Sequence, residues 1–423
     1  MALLKTSVWN GLAVGVRMVS ALVVNKFLAV LVGPAGYALI GQFQNGITVV
    51  IAFATGALGT GVTKYTAEHG DDLAAQRRLW RTAGTITLLA SCGSAVAVAV
   101  ASVWLARLLL GDAGYYGVFL WLAAALVLIG FNALFLSILQ GRKELRRFVV
   151  SGIAGSIIGL LATIGLSFWF GLYGALVALT LNQALTFFVT LHQTMSADWF
   201  AWRDMVGRID RVFAAKLGRY VLMAAATALA GPFSLIAVRQ HLVVQFGMDY
   251  AGYWDAMWRI SALYLTFITT TLSLYYLPKI SELKDIRDVH SEIVRSFKVV
   301  VPVVALLSCC VYLLRDLIIQ ILFAPSFLPM RDLFALQMMG DVVKIASWML
   351  AFVMLGRAMT TLFITTEIVF AGLFWVMTVL LTPVLGFKGV AAAHLATYSI
   401  YLVTLYLLIF RKISHKNDDA DMA

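Results

Sequence analysis

The sequence predicts an all-α integral membrane protein: about twelve transmembrane helices, arranged as two parallel six-helix lobes around a central cleft. Three observations carry that prediction, namely composition, the spacing of apolar runs and an internal repeat.

Of the 423 residues, 61% are hydrophobic and 13% charged, and the mean hydropathy is +0.90. A water-soluble domain of this size needs far more polar side chains to cover its surface. Soluble classes are therefore excluded.

A hydrocarbon core of ~30 Å is crossed by about 20 apolar residues in a helix. Between the charge clusters, such runs fall near 8–32, 38–63, 83–106, 115–139, 148–169 and 172–191, then 217–238, 250–278, 296–314, 333–355, 358–383 and 386–410. No connection between them is long enough for a soluble domain. The first run is too long, and too quickly followed by a second, for a cleaved signal peptide.

Lys and Arg set the expected orientation. They crowd into "HGDDLAAQRRLWR", "GRKELRR", the 193–219 segment, "KISELKDIRDVHSEIVRSFK" and the tail, whereas the opposite loops hold only Arg107, Arg315, Arg331 and Lys388. Both termini are thus expected on the cytoplasmic side of the membrane. The net charge of +11 is read as this topology signal rather than as a nucleic-acid surface. Cys92, Cys309 and Cys310 all fall within runs and read as small apolar side chains, with no disulfide or metal site implied.

The repeat has an offset near 215. "LQGRKELRRF" (139–148) matches "MLGRAMTTLF" (354–363), and "FGLYGALVALTLNQ" (170–183) matches "LGFKGVAAAHLATY" (385–398), with Gly171 on Gly386 and Gly174 on Gly389. "AGY" at 35–37 recurs at 251–253. Six spans per half make the repeats parallel about an axis along the membrane normal. The expected organisation is a lobe at 1–192, a cytoplasmic linker at 193–215, a second lobe at 216–410 and a solvated tail at 411–423.

Buried charge marks the candidate site. In "YWDAMWRISALYLTFITTTLSLYY" (253–276), Asp255, Arg259, Ala262, Thr266, Thr269, Ser273 and Tyr276 lie at helical spacing on one face. Asn45, Thr48, Ala52, Thr55 and Gly59 make the corresponding stripe in the second span, and Gln337, Asp341, Lys344 and Trp348 one in the tenth. A charge at mid-membrane costs at least ~2.5–3.5 kcal/mol, so these stripes face protein or water. Asp255 with Arg259 (i,i+4) and Asp341 with Lys344 (i,i+3) are expected to pair. Helix-locking ion pairs are one reading of them. Against it, Arg17, Lys26, Lys64, Arg239, Arg259 and Lys344 oppose only Asp255, Asp341 and Glu367 within spans, an excess of cations that suits a visiting anion. Lys64 also reads as an interfacial anchor, and Glu367 as an interhelical hydrogen bond. Lone histidines such as His192, His241 and His394 read as packing residues.

Guanidinium and ammonium groups bind phosphate through charge-assisted hydrogen bonds, while hydroxyl, amide and aromatic side chains suit sugars. An anionic, polar-headed substrate follows from the residues alone. Arg17, Lys26, Arg259 and Lys344 are the expected phosphate clamp, with Lys64, Asn45, Thr48, Arg239, Asp255 and Asp341 as further lining, and Asp255, Asp341 and Glu367 as candidates for ion coupling.

The stretches "LLRDLIIQILFAPSFLPMRDLFALQMMGDVVK" (313–344), "VNKFLAVLVGPAGYAL" (24–39) and "GVTKYTAE" (61–68) resemble the Wzx-type lipid-linked oligosaccharide flippases, the polysaccharide transport branch of the MOP exporter superfamily, and are most similar to members serving enterobacterial common antigen. Lys26, Lys64, Arg315, Asp316, Arg331, Asp332, Asp341, Lys344 and Glu367 occupy family-motif positions; the segment around Arg259 departs more. The resemblance implies a MATE-like two-lobe fold, alternating access and an undecaprenyl-pyrophosphate-linked glycan as cargo, drawn from an enterobacterial common antigen or O-antigen pathway. It also implies polymerase and chain-length proteins as neighbours, a monomeric carrier and no cofactor. Two rivals stay open at this point. A multidrug exporter of the same superfamily would favour an acidic or apolar cavity, and a membrane glycan polymerase would need a substantial outer loop.

Overall fold

A computed structural model describes residues 2–70, 72–276, 279–280, 283, 286–356 and 359–421. Among them there is no strand, and 92% of the chain is helical. Backbone groups in lipid have no water to bond with, so a helix, which satisfies them internally, is the form the apolar runs must take.

Among the described residues thirteen α-helices follow in order. The first half contributes α1 (Ala2–Ala54), α2 (Gly59–Glu68), α3 (Leu73–Val100), α4 (Ser102–Leu110), α5 (Tyr116–Gly141) and α6 (Leu145–Met195). The second contributes α7 (Arg211–Phe246), α8 (Met248–Thr271), α9 (Ile286–Leu313), α10 (Arg315–Leu322), α11 (Phe334–Gly356), α12 (Thr360–Leu385) and α13 (Gly389–Asp421). Short 3-10 turns lie at Trp202–Asp204, Pro325–Leu333 and Gly386–Lys388, and a π-turn at Leu272–Tyr276 follows α8.

Seven stretches are long and apolar enough to cross a membrane, and three of them, Gly15–Ala54, Leu145–Met195 and Thr360–Ile409, run to 40–51 residues. Each of these three is broken at a glycine with positive φ: Gly33 (63°), Gly171 (57°) and Gly386 (60°). Divided there, and joined by α7 and α8, they recover the twelve spans read from the sequence.

The repeat is visible in the backbone itself. Gly171 and Gly386 share almost the same unusual conformation, with ψ of −135° and −147°. Three residues later, a Cβ on Gly174 would stand 1.9 Å from the Leu166 carbonyl oxygen, and one on Gly389 would stand 2.5 Å from that of Leu381. Both turns are too tight for any side chain there. The fourth and tenth spans match likewise. Where α5 ends, the Glu144 amide donates to the Leu139 carbonyl at 2.9 Å; where α11 ends, the Met359 amide donates to the Met354 carbonyl at 2.8 Å.

The chain forms two compact units, Met1–Val32 with Leu39–Pro232, and Gly33–Ala38 with Phe233–Ala423. Pro232, which interrupts the hydrogen-bond ladder of α7, marks the boundary. In the first unit Leu79, Trp80, Phe135, Ile138, Leu139, Trp199 and Met205 build a core; in the second Leu265, Tyr276, Ile345, Met349, Leu350 and Leu405 do. The Ala113–Gly141 and Pro325–Gly356 spans are the interior helices, with 61% and 67% of their apolar windows buried. Peripheral helices present large apolar side chains outward, Val100 (83% exposed) and Trp169 (78%) among them, as a lipid-facing surface requires.

Candidate functional site

The second unit gathers its charged residues into two neighbouring clusters, both built around α8. Its face is polar at Asp255, Arg259 and Ser261 because lipid would reject those groups, and packing against α7, α11 and α13 removes them from it.

In the first cluster one carboxylate serves two guanidinium groups. Arg239, on α7, forms an ion pair and hydrogen bond with Oδ1 of Asp255, while Arg259 reaches Oδ2 through Nε at 3.2 Å. The Arg239 and Asp255 side chains are 3% and 7% exposed, and that of Arg259 is 18%. The guanidinium of Arg259 lies 4.6 Å over the ring of Tyr37, and that of Arg239 5.5 Å over Trp254. Tyr37 is fixed in turn by Phe323 and Phe327, edge-on at 5.8 and 5.6 Å. The expected Asp255–Arg259 pair is therefore present, but shared. Two guanidinium groups thus share one carboxylate.

The second cluster centres on Asp341, which is fully buried. It accepts hydrogen bonds from the Tyr264 hydroxyl at 2.8 Å and the Gln337 amide at 3.3 Å, and its Oδ1 lies 3.0 Å from Nε2 of His394. Tyr264 and Ser308 share a further hydroxyl–hydroxyl bond at 3.0 Å, and the Gln337 amide also reaches Ser261 at 3.3 Å. An ionised carboxylate only accepts, so Nε2 is the donor and the imidazole is held in that tautomer. His394 fits this close because residue 340 is glycine: a Cβ there would stand 2.4 Å from the imidazole Cδ2.

Asp341 and Lys344 interact electrostatically, as the i,i+3 spacing implies, but no direct ion pair joins them among the described residues. The carboxylate is already surrounded by three donors, and the long lysine stem carries the ammonium into aromatic rings instead. Its Nζ lies 4.6 Å from the ring centre of Trp258, 4.9 Å from Trp348 and 5.4 Å from Tyr398. A cation over such faces is stabilised by their quadrupoles. His394 was read as a packing residue; it is instead a direct partner of Asp341. Glu367, on α12, is half-buried and lies within electrostatic reach of Tyr398 and Tyr401.

Of the span charges singled out from the sequence, Arg239, Arg259 and Lys344 stand with Asp255, Asp341 and Glu367 in the second unit. The excess of span cations resides in the first, whose spans carry no Asp or Glu. There Arg17 is exposed, with a guanidinium nitrogen 3.7 Å from the Cβ position of Gly152. Lys26 is half-buried, and Lys64 is exposed with its ammonium 5.3 Å over the Tyr65 ring, a position consistent with an interfacial anchor. Asn45 is half-buried, and Thr48 returns its hydroxyl to the Gln44 carbonyl at 2.8 Å. Of the other motif residues, Arg331 pairs with Asp316 at 2.9 Å, and Lys388 lies 3.6 Å from Asp332, all four well exposed.

Comparison with known proteins places this arrangement. Residues 27–332 match the family model described as polysaccharide biosynthesis protein. The chain is 34% identical over 402 residues to the lipid III flippase of Escherichia coli (strain K12) and, to the same extent, to that of Shigella flexneri, covering 95% of this chain and 96% of theirs. Among solved structures it is similar to a multidrug resistance MATE family transporter of the MOP superfamily in an inward-facing conformation, with a TM-score of 0.81 at 14% identity over 95% of this chain and 96% of that one. It is also similar to a MOP superfamily transporter from Pyrococcus furiosus, with a TM-score of 0.74 at 15% identity over 98% and 95%. At such identities the structures speak for the fold alone, a two-lobe helical transporter fold.

Proposed function

Because the chain belongs to the polysaccharide biosynthesis protein family, we propose that it is a flippase. Its cargo is a lipid-linked oligosaccharide, carried on undecaprenyl pyrophosphate of the enterobacterial common antigen lipid III or O-antigen type, and it moves from the cytoplasmic to the periplasmic leaflet by alternating access of the two six-helix lobes. It is a transporter and not an enzyme. The carrier acts as a monomer in the bacterial inner membrane with both termini cytoplasmic, alongside the polymerase and chain-length components that use its product.

The observation that carries this reading is the pair of arginines on Asp255. Arg239 and Arg259 converge on one buried carboxylate, which sets two guanidinium groups side by side. A guanidinium has five donors in a fixed fork, and one already oriented by Asp255 and Tyr37 loses little freedom on binding a phosphate oxygen. Arg17 and Lys26 in the first lobe, with Lys344 and Lys64, complete the set of cations proposed to meet the diphosphate, while Asn45, Thr48 and Asp341 face the sugars. The polyprenyl chain stays in lipid. Outward movement of a head with about two negative charges, down an inside-negative potential, gains ~2.3 kcal/mol per charge per 100 mV. That gives direction without ATP. Asp255, Asp341 and Glu367 are the groups through which a returning proton or sodium ion would reset the carrier.

The test is translocation of a fluorescent lipid-linked oligosaccharide in proteoliposomes. Arg259→Gln and Lys344→Met are each expected to lower the rate at least about tenfold, as loss of one charge-assisted contact implies. Both are expected to fold: Arg259 lies at the edge of its cluster, and methionine replaces the lysine stem between the same three rings. Wild-type rates in both variants would remove the phosphate clamp. Transport of cationic drugs with no glycan movement would favour the multidrug reading. In cells, repeat units that reach the periplasm without being polymerised would favour the polymerase reading.

A further inference from the structure

A second basic site lies in the first unit, away from the span charges. The segment after α6 folds back onto the start of α3. The Thr85 hydroxyl donates to the Gly207 carbonyl and accepts from its amide, both at 2.9 Å, and the Asp210 amide donates to Thr82 at 3.0 Å. The fit is close enough that a Cβ on Gly84 would stand 1.7 Å from the Met205 carbonyl oxygen. This docking brings Arg203 beside Arg77, Arg78 and Arg81, and the four arginines line one pocket of about 640 Å³.

Asp204 is the single carboxylate in that lining, and it is buried. Arg77 Nε reaches its Oδ2 at 3.2 Å and Arg81 Nη2 its Oδ1 at 2.7 Å. The carboxylate holds those two guanidinium groups in place. Arg78 and Arg203 are exposed and have no carboxylate partner among the described residues. The pocket is therefore strongly cationic, and half of its charge is already oriented.

Leu73 and Ala74 complete the lining. Leu73 is exposed, and so are Trp202, Val206 and Ile209, large apolar side chains of the segment that carries Arg203. Since α3 opens a membrane-crossing stretch (Leu73–Val100), its first turns lie at the level of lipid headgroups, where an indole is most favourably placed. A soluble anion would use the arginines but leave Trp202 and Leu73 in water. A phospholipid uses both.

We propose that this pocket binds the headgroup of an anionic phospholipid of the surrounding bilayer, with the phosphate against Arg78 and Arg203 and the glycerol and upper acyl chain against Leu73 and Trp202. The bound lipid ties the 196–210 segment to α3 through a second anion beside Asp204. The site rests on the membrane assignment of α3 and is independent of the cargo.

The test uses the purified full chain in phosphatidylcholine nanodiscs titrated with cardiolipin, with lipid retention read by native mass spectrometry. Arg78→Gln/Arg203→Gln is expected to weaken retention on the order of thirtyfold, since each arginine near a charged headgroup contributes about fivefold. Arg107→Gln, an exposed arginine at the end of α4, is expected to leave it unchanged. Both variants alter exposed side chains and should fold; glycan translocation in proteoliposomes reports on that separately. Equal retention by the double variant and the wild type would overturn the proposal. So would an equal loss in Arg107→Gln, or displacement of the lipid by inorganic phosphate at matched concentration.

Discussion

The two halves share a backbone plan and differ in what they bury. At the repeat offset, Gly171 and Gly386 make the same turn, Gly174 and Gly389 allow the same close approach, and α5 and α11 end on the same backbone bond. The interior positions diverge. At the offset of 216 set by the AGY match, Val23 and Leu39 of the first half correspond to Arg239 and Asp255, and at 215 Leu126, Ile129 and Leu179 correspond to Asp341, Lys344 and His394. Leu126 is a fully buried core residue, and so is the Asp341 that takes its place. Even the room for His394 follows the pattern: Ala125 corresponds to Gly340, the residue whose missing Cβ admits the imidazole. Helix geometry is thus set by a scaffold common to both halves, whereas charge was introduced into one of them as an interdependent set.

That contrast breaks most visibly at Asp255. Asp255→Leu, the residue of the first half, strands two arginines on one another and is expected to cost about 3–5 kcal/mol, as removal of one partner from a buried pair does. Arg239→Val/Asp255→Leu restores the first-half pair and should regain most of that loss, because a buried ion pair and a well-packed apolar pair are often close in stability. Thermal unfolding in detergent reads both, and translocation should stay lost in each. Recovery of folding without transport would separate the scaffold from its charge. If the double variant is as unstable as the single, the two halves are not interchangeable at this position.

The scaffold was legible because glycine at a positive φ and a chain-length offset are local signals. Asp255 and Arg259 were legible too, since i,i+4 spacing puts them on one face. Arg239 could be placed in a span, but its partner lies on the next helix, and only the fold brings it there. His394 gave no local signal at all: its partner Asp341 is 53 residues away. The surroundings of Lys344 were hidden for a related reason. Spacing gives its electrostatic interaction with Asp341, but Trp258, Trp348 and Tyr398 come from three different helices to surround its ammonium, while Tyr264, Gln337 and His394 occupy the carboxylate. One signal within the sequence would have found the set, namely the positions where a polar residue in one half faces an apolar residue in the other.

Gly340 sharpens the comparison at an intermediate cost. Gly340→Ala reproduces the first-half residue but drives a Cβ into the imidazole of a fully buried histidine. The expected cost is about 2–4 kcal/mol, from overpacking together with loss of the His394–Asp341 bond. Gly340→Ala/His394→Leu, which restores both first-half residues, should recover the packing part. It leaves Asp341 one donor short, so unfolding in detergent should place it between the wild type and the single variant. No gain on adding His394→Leu would mean that the glycine serves the helix rather than the imidazole.

The smallest effect lies where the halves agree. Gly171→Ala and Gly386→Ala each force an L-residue into a conformation with φ near +60° that only glycine adopts freely, at about 1–2 kcal/mol apiece. Neither glycine has a neighbour within 4 Å of its Cβ position, so the cost is conformational and should be nearly the same in both. The double variant should lose the sum, as independent sites do. Unequal losses, read by the same unfolding measurement, would mean that one turn carries strain the other does not, and that the likeness of the two halves stops short of their backbones. Equal losses would place the divergence of the halves in their side chains alone, with Asp255 and Asp341 at its centre.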